Sequence, residues 1–122
     1  MKTDAQTFGD HAEDQVARYL LAHGFSILAR NYRTPSGEVD LIAQQGNLLA
    51  FVEVKARAYH FVEPAALVPH SKQQKIIHTA YSFIAKHNLD DKIYRFDIAF
   101  LQSVHGTLKI EYVENAFTDQ YG

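Results

Sequence analysis

The stretch GEVDLIAQQGNLLAFVEVKAR, from Gly37 to Arg57, contains two apolar runs on either side of Gly46-Asn47. Runs rich in Val, Leu, Ile and Phe that flank a Gly-first pair are typical of a β-hairpin with a two-residue type II′ turn. Such a turn fixes which residues face each other across the two strands. The stretch therefore predicts a specific pairing as well as a fold element.

Four charged side chains interrupt these apolar runs, and the turn determines how they meet. With Gly46 and Asn47 at the turn, Asp40 faces Glu53 and Glu38 faces Lys55. Because side chains alternate across a strand, the four charges share one face. The other face is predicted to be apolar, with Val39, Leu41, Val52 and Val54. The charged face also carries apolar residues nearer the turn, Ile42 and Phe51. We therefore predict a central strand pair whose polarity is confined to one end.

Opposed carboxylates need compensation. At a separation of about 5 Å and an effective dielectric of about 20, Asp40 and Glu53 repel by roughly 3 kcal/mol. With Glu38 included, three carboxylates stand against the one ammonium of Lys55. One divalent cation would neutralise the excess, and hard oxygen ligands suit Mg²⁺ or Mn²⁺. Two other interpretations stay open: a shared proton with a raised carboxyl pKa, or an exposed ion-pair network worth little energy.

Residues outside the hairpin extend the candidate site. Glu13 lies on a predicted helix, with apolar residues at its i+3, i+4 and i+7 positions, so it faces or borders the core and needs a partner. That partner is the acidic cluster, an arginine (Arg30 or Arg33) or a backbone N–H. Lys72 and Gln73 open a second predicted helix, whose N-terminal amides are suited to a phosphate. The alternative is an ordinary solvated first turn.

Composition limits the function classes. At 122 residues with 47% hydrophobic content, the chain is predicted to form one domain, residues 1–122. A net charge of −2 gives no general affinity for nucleic acid, so any phosphate-binding surface must be local. From Ser71 to Lys86 the chain carries three lysines and no acid, which predicts either such a surface or a solvated helix face. The absence of cysteine excludes disulfides, thiol catalysis and Cys-ligated metals.

The remaining patterns give the order of elements and the location. Helical spacing up to Gly24, the strand FSILARNYR, the TPSG turn, a Ser-x-x-Gln capping box at Ser71, and strands flanking VHG predict the order α-β-β-β-α-β-β around a mixed sheet. The segment AYHFVEPAALVPH is predicted to be a loop beside the charged cluster, suited to be a lid or a substrate arm. Arg95 and Asp97 are predicted to form a structural salt bridge. No leader-like or membrane-spanning run is evident, which predicts a cytoplasmic protein with no membrane contact.

These residues resemble two known groups. Asp40 followed by Glu53-Val54-Lys55 resembles the D…(D/E)xK signature of the restriction-endonuclease-like superfamily. Nearly the whole chain resembles the YraN-like family of small bacterial proteins, through the segments AEDQVARYLLAHGFSILARNYR, GEVDLIA, FVEVKAR, SKQQKI and RFDIAF. The first helix also resembles that of archaeal Holliday-junction resolvases, which carry a glutamate ahead of the same signature.

The resemblance implies a restriction-endonuclease-like fold and a metal-dependent nuclease. Asp40 and Glu53 would be metal ligands with Glu13 assisting, and Lys55 the catalytic lysine. The residues expected to contact phosphates are Arg57, Lys72, Gln73 and Lys75. The implied cofactor is Mg²⁺ or Mn²⁺, and the implied partner is nucleic acid, first of all DNA. Branched or structured DNA and a homodimer are further expectations. The alternative is a binding module that keeps the fold without turnover.

Overall fold

The computed structural model describes the backbone of residues 4–56 and 67–119, and the side chains of 11–56, 67–102 and 105–119. The elements follow the order α-β-β-β-α-β-β, as predicted. Their bounds are α1 Asp4–Ala22, β1 Ser26–Thr34, β2 Gly37–Gln45, β3 Leu48–Lys55, α2 His70–Lys86, β4 Ile93–Val104 and β5 Thr107–Phe117. Arg57 and most of the loop predicted at residues 58–70 lie outside the described residues.

The five strands form one mixed sheet in the order β1-β2-β3-β4-β5. Neighbouring strands are antiparallel except β3 and β4, which run parallel. A parallel pair needs a crossover connection, and α2 provides it. Two buried clusters complete the core: α2 packs against one, which includes Phe51 and Phe96, and α1 packs against the other, which includes Leu41 and Val52. The predicted α/β sandwich around a mixed sheet is confirmed.

The hairpin of β2 and β3 has the predicted register. Pairs run from Gln45 with Leu48 to Leu41 with Val52. Gly46 has a φ of 57° and Asn47 does not have a positive φ, as a type II′ turn requires. The regular ladder ends at the Leu41 pair, one residue before Asp40 reaches Glu53.

The predicted alternation of faces fails beyond that point. Val39 was predicted to lie opposite the charged face, but it is buried in the same cluster as Ile42 and α2. Residues three apart reach the same core only where a strand bends, because side chains otherwise alternate. The bend coincides with Asn31 on the neighbouring strand, whose φ of 50° is unusual for a residue other than glycine. Tyr32 then pairs with Val39 and packs edge-on against α2.

The start of α2 also differs from the prediction. The helix begins at His70, with Pro69 at the N-cap and no side-chain cap, so the capping box predicted at Ser71 is wrong. Instead, Gln73 Nε2 donates to the carbonyl of Val68 at 2.9 Å, and Val68 is buried. The entry to the helix is therefore held by a buried anchor and a side-chain amide.

A close approach holds α2 against the β1–β2 turn. A Cβ on Gly37 would lie 2.8 Å from Cβ of Lys75 and 3.3 Å from the hydroxyl of Thr79. Thr79 Oγ1 also lies 3.3 Å from Oγ1 of Thr34. Only glycine at residue 37 lets the helix come this close.

Candidate active site

Asp40, Glu53 and Lys72 meet at one end of the sheet. Asp40 lies on β2 where the β2–β3 ladder has ended, and Glu53 lies near the carboxyl end of β3. Lys72 is in the first turn of α2, the helix that follows β3 in the chain. The crossover connection thus places the helix start over the two opposed carboxylates.

The side chain of Asp40 accepts a hydrogen bond from the backbone of β3. Its Oδ2 accepts from the amide of Val54 at 2.8 Å, in the region where the strand ladder has ended. Burial, together with a hydrogen bond to Glu53 and the charge of Glu53, raises the pKa of Asp40 to about 9. At neutral pH Asp40 therefore holds a proton that it donates to Glu53. Of the interpretations that the sequence left open, the shared proton describes the metal-free site.

Glu53 is the ionised member of the pair. Its side chain is 4% exposed, and burial alone would raise its pKa. The hydrogen bond from Asp40 and the ammonium of Lys72 outweigh burial and lower the pKa of Glu53. Lys72 Nζ lies 2.7 Å from Oε2 of Glu53. The contact is short but poorly aligned, since Oε2 has no hydrogen bond of good geometry to any described residue.

Lys72 is held as an ammonium by this contact. Burial would lower its pKa, but the close contact with the charged Glu53 outweighs burial and raises the pKa of Lys72. Lys55 lies two residues beyond Glu53 on the same strand, and its charge also lowers the pKa of Glu53. Two ammonium groups thus border one ionised carboxylate.

The excess of negative charge that the sequence predicted is not present in the metal-free site. Glu38 was expected to face Lys55, but its Oε1 lies 3.2 Å from Nε of Arg33 across the β1–β2 pair. Asp40 is neutral, and Lys72 balances Glu53. Internal charges therefore compensate the cluster when no metal is bound.

Glu13 borders the cluster from α1. Asn31 Nδ2 donates to its Oε1 at 3.0 Å, and a guanidinium nitrogen of Arg30 lies 4.0 Å from the same oxygen. The charge of Glu13 contributes to the raised pKa of Asp40, so the two carboxyls interact. In residues 4–56 and 67–119, however, no three His, Asp or Glu side chains are grouped closely enough to hold a metal ion. The role of Glu13 as a third metal ligand stays a prediction.

Asp40 and Glu53 still fit a divalent ion. Mg²⁺ is commonly held by one or two carboxylates, with water and phosphate oxygens completing its shell. Both residues offer oxygen donors, and Oε2 of Glu53 is a buried oxygen without a well-aligned donor. The donor set suits Mg²⁺ or Mn²⁺ once the proton and the ammonium have left.

The predicted phosphate contacts are placed unevenly. Lys75 is exposed one turn beyond Lys72. Gln73 stabilises the entry to α2 through its bond to Val68, so a phosphate contact there stays a prediction. Arg57 lies outside the described residues. Lys72 and Lys75 thus form the basic edge of the site.

Arg95 and Asp97 form the predicted salt bridge. Arg95 Nε donates to both carboxylate oxygens at 3.0 Å. The fully buried Asp97 also accepts from the hydroxyl of Tyr112 at 2.5 Å and the amide of Asn115 at 2.9 Å. The bonds from Tyr112 and Asn115 tie β4 to β5, and those from Arg95 hold the carboxylate within β4, which indicates a structural role. No pattern in the sequence indicated that Tyr112 and Asn115 would bind Asp97.

Comparisons with known proteins identify the family. The model of the uncharacterised protein family UPF0102 matches residues 12–101. This chain belongs to the UPF0102 family. The resemblance to the YraN-like proteins is thereby confirmed.

Three relatives match this UPF0102 protein over nearly their whole length. A UPF0102 protein of Desulforapulum autotrophicum is 40% identical over 118 residues, covering 96% of this chain and 98% of the relative. One from a Sulfurihydrogenibium species is 39% identical over 111 residues, covering 90% and 93%. One from Coxiella burnetii is 37% identical over 118 residues, covering 95% and 96%.

A solved structure of Pyrococcus furiosus SfsA in complex with Ca²⁺ is similar at 12% identity and a TM-score of 0.40, over 91% of this chain and 64% of that chain. In the described part of the UPF0102 chain, neither helix combines the length and the apolar character needed to cross a membrane.

Proposed function

We propose that this UPF0102 protein is a metal-dependent nuclease that hydrolyses phosphodiester bonds in DNA. The observation that carries the proposal is the buried Asp40–Glu53 pair, in which a proton and an ammonium supply the positive charge. Lys55 lies beside that pair on the same strand. The D…ExK signature shared with restriction-endonuclease-like proteins supports the same chemistry.

Each residue has a distinct task in this proposal. Asp40 and Glu53 hold the divalent ion, and Asp40 releases its proton to do so. When bound, Mg²⁺ or Mn²⁺ stabilises charge on the phosphate and makes a water molecule more acidic. The ammonium of Lys55 positions that water and stabilises the negative charge that develops on the phosphate. Glu13, held by Asn31, favours the cation by its charge.

The substrate would approach along the start of α2. Lys75 is exposed there, and Arg57 follows β3 in the sequence, two residues after Lys55. Lysine and arginine contacts to phosphates position a nucleic acid without reading its sequence. We therefore expect recognition of backbone shape, as in branched or structured DNA, more than recognition of bases.

Cleavage assays test the proposal directly. Linear, single-stranded and four-way branched DNA are incubated with Mn²⁺ and the wild type, Glu53→Gln or Lys55→Met. We expect each variant to lose about a hundredfold or more in rate, because each removes a group that acts on the reacting phosphate. Asp91→Asn is the matched control, since Asp91 is 74% exposed and precedes β4 at the opposite end of the sheet. Equal rates in all four proteins would rule out this active site.

A second candidate function is a binding module without turnover. The specific observation in its favour is that Glu53 already has two partners in the metal-free protein, Asp40 and Lys72. This reading predicts DNA binding that weakens with salt, needs no divalent ion and survives Asp40→Asn. Fluorescence anisotropy in EDTA, together with the cleavage assay, separates the two functions.

A further inference from the structure

The contact between Lys72 and Glu53 connects two sites that the proposed function treats separately. Glu53 is a proposed metal ligand and Lys72 a proposed phosphate contact. In the structure, Nζ of Lys72 lies 2.7 Å from Oε2 of Glu53. While this ion pair is intact, Glu53 and a substrate phosphate compete for the same ammonium.

The two cations compete for the same oxygen. A magnesium ion binds a carboxylate oxygen at about 2.1 Å, and the ammonium of Lys72 lies 2.7 Å from Oε2 of Glu53. Like charges at such short distances repel strongly in a partly buried site. A divalent ion on Oε2 must therefore displace the ammonium of Lys72.

The side chain of Lys72 is exposed enough to change its position. Its side chain is 46% exposed, whereas that of Glu53 is 4% exposed. The long stem runs from the surface of α2 down to the buried carboxylate, so the ammonium can swing outward without unpacking the core. After this outward movement the ammonium is still carried by the first turn of α2, next to the proposed metal position.

We infer that Lys72 alternates between two anionic partners: it pairs with Glu53 in the metal-free protein and with a DNA phosphate once a divalent ion holds Glu53. The inference rests on the proposed function and adds a coupling between its two ligands. Metal binding releases the lysine that binds DNA, and DNA in turn favours the metal-bound state. Free protein without metal keeps the site closed by its own side chain.

Metal binding without DNA gives the first test. Mn²⁺ affinity is measured by isothermal titration calorimetry for the wild type, Lys72→Met and Lys72→Arg. Removing the competing ammonium should tighten binding by about tenfold, and a bidentate guanidinium should weaken it. Lys86→Met is the control for net charge, since Lys86 is exposed in the last turn of α2, and its effect should stay within about twofold.

DNA binding gives the second test. Anisotropy is measured for the wild type, Lys72→Met and Lys75→Met in EDTA and in Ca²⁺, and cleavage is checked on gels. We expect Lys72→Met to leave the affinity in EDTA within about twofold and to weaken it about fivefold to tenfold in Ca²⁺, with a salt slope reduced by about one. Lys75→Met should weaken binding by the same factor in both conditions.

The outcomes separate this inference from the proposed function. If the wild type and Lys72→Met bind Mn²⁺ equally, the metal site stands and the exchange of partners is wrong. If neither protein binds Mn²⁺, the proposed function fails and the inference fails with it. Equal loss of DNA affinity by Lys72→Met in EDTA and in Ca²⁺ would show a permanent phosphate contact and also overturn the inference. Lys72→Arg keeps the ion pair, so a folding defect in Lys72→Met cannot hide the result.

Discussion

Replacing Asp40 by asparagine should make the protein more stable and change how its stability depends on pH. The asparagine side chain is nearly isosteric with a protonated aspartate. It can accept the hydrogen bond from Val54 and donate one to Glu53, which are the two bonds that neutral Asp40 makes. The variant therefore keeps the geometry of the metal-free site without needing a proton.

The magnitude follows from the raised pKa. Asp40 titrates at about 9 in the folded protein and at 3.8 when unperturbed. A group whose folded pKa is raised contributes its full stability below the unfolded value, and that contribution is lost as the pH rises toward the folded value. In this window the wild type loses about 1.4 kcal/mol per pH unit, or roughly 4 kcal/mol between pH 4 and pH 7. Because Asp40 is partly exposed and coupled to Glu53, we expect a gain of about 2–4 kcal/mol for Asp40→Asn at pH 7.

Urea unfolding followed by circular dichroism measures this difference at pH 5, 6, 7 and 8. The free energy of unfolding of Asp40→Asn should exceed that of the wild type by an amount that grows with pH. Asp91→Asn, at an exposed position, should give a curve parallel to the wild type. A constant difference between Asp40→Asn and the wild type across this range would refute the buried proton. The same variant should lose Mn²⁺ affinity, because a ligating carboxylate is gone.

Three further substitutions test the scaffold by thermal or urea unfolding. Gly37→Ala places a methyl group within 2.8 Å of α2 and should lower Tm by roughly 5–10 °C; an unchanged Tm would show that the helix can withdraw freely. Asp97→Asn weakens a buried set of bonds and should cost about 2–4 kcal/mol, whereas Glu114→Gln, at a 67% exposed position, should cost less than about 0.5 kcal/mol; equal costs would contradict a structural role for Asp97. Asn31→Ala should cost about 1–2 kcal/mol more than Asn31→Gly, because only glycine relieves the positive φ and both variants lose the bond to Glu13; equal costs would show that the backbone is not strained.

The sequence was most informative where local chemistry determines geometry. Gly46-Asn47 favours a two-residue turn, and that loop length sets the pairing from Gln45 with Leu48 to Leu41 with Val52. Strand and helix periods likewise gave the order of all seven elements. These features depend on neighbours in the chain, so a single sequence contains them.

The sequence was least informative where distant segments meet. The ion pair between Lys72 and Glu53 depends on how α2 docks after the crossover, which neither residue encodes by itself. The side chain of Asp40 accepts from the backbone of β3 where the β2–β3 ladder has ended, and nearby Val39 packs in the cluster that contacts α2. The rule that side chains alternate along a strand assumes a straight strand, so it predicted the wrong face of the sheet for Val39.

Counting charges along the hairpin nevertheless pointed to Asp40 and Glu53, the two carboxyls that the structure brings together. The count found an excess that one divalent cation would cancel. In the metal-free protein the proton on Asp40 and the ammonium of Lys72 together supply two positive charges, the same charge as one magnesium ion. Exchanging these two charges for a metal ion leaves the buried site at nearly constant charge, so neither state leaves an uncompensated carboxylate in the core. Under the proposed function, an acidic pair placed inside a sheet is thus stable both without and with a bound divalent ion, provided that the fold supplies a lysine which can leave.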